Sequence, residues 1–175
     1  MIKRTEKVHL SNTVKIMSAV VIAIVIVAGI GVPLQGLMNS RYDTERYISL
    51  GILLFIILIF VPVFIYAPKR ISLSDEGLIL YRGLGKVRLP YSEMADIRIY
   101  RPSDSVINIR TFGIGGVLGF IGRYYNKEIG HYISYVGDYS QAFLIQMKNG
   151  KKYVMSCDNA QEMVEEVRMQ MNHSV

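Results

Sequence analysis

Cysteine is nearly missing from this chain of 175 residues: Cys157 stands alone, so no intrachain disulfide can form and no cysteine-rich zinc site can be built. A single unbridged cysteine suits the reducing, cytoplasmic side of a membrane. Histidine is almost as scarce. His9 lies in a basic segment and His173 near the last residue, which leaves only His131 inside a patterned stretch. The one nucleophilic grouping that can be assembled on paper is Cys157 with His131 and Asp138, and no local motif supports it. The carboxylate neighbours Asp75-Glu76 and Glu165-Glu166 point to different faces, which suits turns and solvent rather than shared proton chemistry. The residue inventory therefore predicts no catalytic set, no metal site and no cofactor, and hence a protein that is not an enzyme.

The chain also lacks any cluster of Lys and Arg interleaved with aromatic residues, which argues against a nucleic-acid partner despite a net charge of +6. About half of that charge lies outside residues 68–175, which hold 14 Lys or Arg against 11 Asp or Glu. The remainder flanks two apolar runs, where each basic residue near anionic headgroups is worth about 1 kcal/mol.

Charge is wholly absent from those runs, Ile16 to Leu34 and Ile48 to Ala67. Each is close to the roughly 20 residues that a helix needs to cross a ~30 Å hydrocarbon core. The first is too long for a signal-peptide core and a second follows within a short loop, so both are expected to be retained as a transmembrane hairpin over residues 16–67. Two spans put both flanks on one side. Lys3, Arg4, Lys7 and Lys15 precede the first run and Lys69, Arg70, Arg82 and Lys86 follow the second, with only Arg41 and Arg46 between, so the flanks are predicted to be cytoplasmic. Ionisable or paired polar groups at membrane depth are missing, which favours an anchor over a channel or transporter. Pro62 predicts a kink in the second helix, and Ala19 with Ala23 a face for close approach. Tyr42, Tyr47 and Tyr66 fall where an interfacial ring is expected.

Three regions follow: a basic cytoplasmic tail over 1–15, the hairpin over 16–67, and one soluble cytoplasmic domain over 68–175, long enough for a single core. In that domain short alternating segments between turn residues predict strands. Ile71 to Ser74 and Leu78 to Arg82 flank Asp75-Glu76-Gly77. Gly83-Leu84-Gly85 leads into Val87 to Leu89, and Ile97 to Arg101, Val106 to Arg110, Tyr132 to Val136, Ala142 to Met147 and Lys152 to Ser156 continue the pattern. Lys148-Asn149-Gly150 supplies a tight hairpin turn, and an antiparallel meander forming a barrel or sandwich is expected. Met163, Val164, Val167 and Met171 then recur at helical spacing, predicting a closing helix whose other face, with Glu165, Glu166, Arg168 and Gln170, is solvated.

The order of these elements, with the segments ISLSDEGLILYR, YSEMADIRIY, RTFGIGGVLGFIGRYYNKEIGHY, QAFLIQMKNGKKYVMS and NAQEMVEEVRMQM, resembles the bacterial membrane-anchored proteins with pleckstrin-homology-like (PH-like) domains. The resemblance covers nearly everything from Ile71 onward. It implies a mostly-β barrel of about seven antiparallel strands capped by a C-terminal helix, behind a two-helix hairpin in the bacterial inner membrane. It implies a lipid headgroup or a protein as ligand, since members of the wider fold bind phosphoinositides or peptides, and it does not fix which. Lipid-binding members hold phosphates with basic residues in and beside the first strand-to-strand loop, whereas the matching loop here, Asp75-Glu76-Gly77, is acidic. Arg82, Lys86 and Arg88 around the next turn offer a weak substitute phosphate patch.

The sharpest oddity is Phe112 to Gly122, uncharged throughout, with Gly113, Gly115, Gly116, Gly119 and Gly122 set among Ile114, Val117, Leu118, Phe120 and Ile121. No Gly-Lys-Ser follows, so this is no phosphate-cradling loop, and it is too short to span a bilayer. Arg110 and Arg123 bracket it and Tyr124 and Tyr125 follow, a basic and aromatic rim suited to an apolar wedge among headgroups. Three readings stay open: dipping into the bilayer interface, contact with a protein partner or a second copy of the chain, and packing inside the domain or against the second span. The functional expectation is a membrane-anchored binding or scaffolding module. Its competitor is an accessory or regulatory subunit of a membrane enzyme or transporter, docked through the hairpin.

Overall fold

The computed structural model describes residues 2–101 and 108–173. Ser11 caps the first helix, its hydroxyl accepting the Val14 amide at 3.3 Å. From there the chain is continuously helical over Asn12–Asn39: α1 (Asn12–Ile24), a π-helical segment (Val25–Gly31) and α2 (Val32–Asn39). Pro33 has no amide to give the carbonyl of Gly29, which accounts for the widened turn. After a short loop, α3 (Asp43–Tyr66) runs back, helical through Pro62. Both stretches are long and apolar enough to cross a membrane. Apolar side chains are exposed along both, among them Val27 at 70% and Leu58 at 73%. The helices meet at Gly29 against Ile56 and at Gly36 against Ser49, whereas Ala19 and Ala23 are exposed.

The β-rich domain is two sheets. The first has the order β1 (Ile2–Lys7), β2 (Pro68–Ser74), β3 (Gly77–Arg82), β4 (Lys86–Pro90). The second contains β5 (Met94–Ile99), β6 (Ile109–Gly115), β7 (Phe120–Asn126), β8 (Gly130–Val136), β9 (Ala142–Met147) and β10 (Lys152–Ser156), in the order β5-β9-β10-β8-β7-β6. The domain closes with α4 (Ala160–His173).

Three expectations need correction. Among the described residues there are ten strands rather than about seven, and no ladder joins the two sheets into a closed barrel. The second sheet is not a meander. The β9–β10 hairpin, closed at Asn149-Gly150, inserts between β5 and β8, which leaves β8 parallel to β10. Finally, of the residues read as a basic tail, Ile2–Lys7 form β1 and pair antiparallel with β2. The helical hairpin is thus an insertion between two hydrogen-bonded strands of one sheet. The expected strand Val106 to Arg110 begins outside the described residues; what is described of it belongs to β6.

Alternation divides the second sheet into two packed faces. Phe143, Ile145 and Met155 point inward to Ile71, Leu73, Leu78 and Leu80 of the first sheet and to Met163 and Val167 of α4. Leu144, Val154 and Val136 point the other way, into a cluster with Tyr100, Tyr124, Tyr132 and Ile129. The face of α4 expected to be solvated is exposed at Glu165 and Arg168, and it also carries contacts. Arg4 of β1 reaches Glu162 at 2.5 Å and Glu166 at 3.5 Å, and the Arg168 guanidinium donates twice to the Ile97 carbonyl, at 3.1 and 2.9 Å.

Candidate functional site

The glycine-rich segment is a hairpin. β6 and β7 pair with Gly113 opposite Gly122 and Gly115 opposite Phe120, and the turn closes with the Gly116 amide donating to the Gly119 carbonyl at 3.0 Å. Gly113 and Gly122 sit at φ +125° and +133°, and a side chain on either would run into the backbone of the strand opposite. Two strands of ordinary residues cannot take this path, which explains why glycines concentrate here.

The tip of the hairpin rests on the start of the first helix. Leu118, the one described non-glycine residue at positive φ (55°), donates its amide to the Ser18 hydroxyl at 2.8 Å, and that hydroxyl donates to the Val14 carbonyl at 2.6 Å. Met17 Cε lies 3.0 Å from the place where a side chain on Gly116 would begin. The end of α3 is held in the same way by the β3–β4 turn. Gly83 donates to the Ala67 carbonyl at 3.0 Å and Leu84 to the Ile65 carbonyl at 2.9 Å, while the Arg82 guanidinium lies over the Tyr66 ring at 5.1 Å. A third tie joins the Ser11 amide to the Gly137 carbonyl at 3.1 Å. One domain therefore grips the near ends of both helices. No Asp or Glu occurs in residues 13–18, 64–70, 82–88 or 116–119, so the contacts of Leu118 and of the β3–β4 turn are apolar and positively charged, whereas the Ser11–Gly137 tie lies beside Asp138.

The residues singled out in the glycine-rich stretch divide into two groups. Gly116 and Gly119 are buried and Leu118 half-buried in the turn; Phe120 packs on Tyr139 with ring centres 5.1 Å apart. Tyr124 is buried, donates its hydroxyl to the Ile114 carbonyl at 2.9 Å, and is pushed up to about 12 in pKa by that burial. Arg110, Phe112 and Arg123 face outward, Phe112 at 77% exposure. The Arg110 guanidinium lies beside Gly115, and Tyr125 packs on the His131 ring at 4.9 Å. All of the outward group lies on or beside β6, which among the described residues is an edge of the second sheet.

The three basic residues of the weak patch flank the β3–β4 turn in different surroundings. Arg82 is half-buried on Tyr66, Lys86 is exposed at the turn, and Arg88 lines a cleft with Asp75, Glu76 and Pro90. The acidic loop itself is approached by Lys3 of β1, 3.2 Å from Asp75. Cys157 and His131 are likewise apart. The thiol is fully buried and burial pushes its pKa up to about 12, whereas His131 is exposed near the opposite end of β8, on the order of 20 Å away along the strands.

Ser18, Met17, Gly83 and Leu84 are the joint's main residues outside the expected set. The available signal is Ser18 itself, a hydroxyl inside an otherwise apolar helix, and the Gly-Leu-Gly turn.

A family model described as Bacterial PH domain matches residues 69–171, from β2 through most of α4. No curated protein and no solved structure matches the chain.

Proposed function

The chain belongs to the bacterial PH domain family, and on that premise we propose a membrane-anchored, non-enzymatic binding module that presents the edge strand β6 to a protein partner at the cytoplasmic face of the inner membrane. The helices α1–α3 are its two-span anchor, and the basic flanks orient it with both flanks inside. The pairing of β1 with β2 across the insertion supports this reading, since a two-span anchor returns both flanks to one side.

The observation that carries the reading is Phe112. An aromatic ring 77% exposed on a strand edge that pairs with no other described strand, between Arg110 and Arg123, is what a partner adding a strand or laying down an acidic segment would use. The tip of the glycine-rich hairpin contacts Ser18 and Met17, which favours the partner reading over insertion of this loop into lipid.

The test is capture from a mild detergent by the full chain and by Phe112→Asp. Phe112 is exposed, so the substitution leaves stability within about 0.5 kcal/mol. Loss of a stoichiometric partner from the variant supports the proposal. Equal capture by both chains, or binding of both to anionic vesicles with no protein captured, contradicts it.

A further inference from the structure

The β3–β4 turn shares the helix-capping geometry of the joint but leaves its central side chain outside. Leu84 is 67% exposed, although its own amide is bonded to the Ile65 carbonyl and that of its neighbour Gly83 to the Ala67 carbonyl. Those carbonyls belong to the end of α3, where a helix leaves its last C=O groups without intrahelical partners. Near hydrocarbon such orphans are costly, and the turn satisfies one within the helix and one just past it. Gly83 lets it approach, since a side chain there would run into the Phe64 carbonyl. The position of Leu84 relative to α3 is therefore set by two backbone hydrogen bonds, at the level of the helix's last turn.

We propose that Leu84 is a lipid contact: the tip of a finger, formed by Gly83-Leu84-Gly85, that enters the interfacial layer of the bilayer beside α3. The inference rests on the reading of α1–α3 as membrane spans. Its surroundings fit anionic lipid rather than a protein surface. Tyr66 and Tyr81 supply amphipathic rings, with Arg82 over the first at 5.1 Å and Arg70 over the second at 4.6 Å. Lys69 and Lys86 are exposed on either side, and the two segments that meet here, 64–70 and 82–88, contain no carboxylate side chain. The apolar stems of these cations lie along the joint while their charged ends reach headgroup phosphates. The Arg82 Nε is buried and has no hydrogen-bond partner among the described residues. The finger belongs to the first sheet and Phe112 to the second, so the lipid and partner contacts fall on different sheets of the domain.

The chain contains no tryptophan, so Leu84→Trp introduces a sole fluorophore. The full chain is placed in nanodiscs of phosphatidylcholine and phosphatidylglycerol carrying bromine at shallow or deep acyl positions, alongside Phe55→Trp in the middle of α3 and Phe112→Trp on β6. The Leu84→Trp chain is expected to lose most of its emission to shallow bromine, the Phe55→Trp chain to deep bromine, and the Phe112→Trp chain to a water-soluble quencher only. Quenching of Leu84→Trp by the water-soluble quencher alone, with Phe55→Trp still quenched by deep bromine, overturns the finger and leaves the anchor standing. Absence of lipid quenching in both of these variants overturns the anchor and the finger with it.

Discussion

The Ser18 hydroxyl accepts the Leu118 amide at 2.8 Å, joining the first helix to the tip of a hairpin one hundred residues later in the chain. Ser18 is 4% exposed and also donates to Val14, so both of its hydrogen bonds in this contact are internal. Ser18→Ala leaves the Leu118 amide unpaired in a left-handed residue and is expected to cost about 1–3 kcal/mol. Thermal unfolding of the full chain in detergent measures this; an unchanged midpoint contradicts it.

The cross-strand pair Gly113 and Gly122 predicts an unequal response to alanine along the chain. At either position the added carbon meets the opposite backbone, and φ lies where other residues are strained by about 1–3 kcal/mol before any clash. At Gly51, where nothing lies within 4 Å, alanine in a helix is neutral or stabilising. Gly122→Ala should lower the unfolding midpoint clearly and Gly51→Ala should not.

The two helices are legible in the sequence because each contains a long uncharged apolar run, and they extend beyond those runs, to Asn12 and Asn39 and to Asp43, through polar residues that carry no apolar signal. The hairpins around Gly83 to Gly85 and Asn149-Gly150 are legible because apolar and polar residues alternate on both sides. Ala142–Met147 and Lys152–Ser156 coincide with expectation. β1 is not legible: Ile-Lys-Arg-Thr-Glu-Lys has one apolar residue, and its place is set by a backbone ladder and by Arg4, both long-range. The β6–β7 hairpin is hidden for the opposite reason, since glycine carries no side chain to alternate. β5 starts at Met94 and ends at Ile99, earlier than Ile97 to Arg101, following directly on the single turn Tyr91–Glu93. At the candidate site the segment is legible from its glycines and flanking arginines, but its division into a bound tip and an open edge depends on Ser18 and Met17, which no local pattern connects to it.

Arg4 meets Glu162 at 2.5 Å, Glu6 at 2.9 Å and Glu166 at 3.5 Å, tying β1 to α4. The guanidinium is about one-quarter exposed, so the network is worth on the order of 1 kcal/mol. Arg4→Ala is expected to free β1 locally, seen as faster tryptic cleavage after Lys7 with little change in the global midpoint. Unchanged cleavage contradicts the assignment of this role.

Alkaline pH should destabilise the domain. Cys157 and Tyr124 are both pushed up to about 12 by burial, from ordinary values of 9.0 and 10.0. A folded pKa above the unfolded one means that the folded state holds its proton more tightly, so the stabilisation is complete below about pH 9 and is lost as pH rises toward 12. The unfolding midpoint is expected to be flat from pH 7 to about 8.5 and to fall above that. Cys157 should resist maleimide at pH 8 until denaturant is added.

Hydrogen exchange of the full chain in nanodiscs, read at the Leu118 and Leu84 amides, tests most directly whether the domain is seated on the ends of both helices. The joint predicts slow exchange at both, with Ser18→Ala accelerating Leu118 and leaving Leu84 unchanged. Exchange at both amides as fast as in an open surface turn would contradict it.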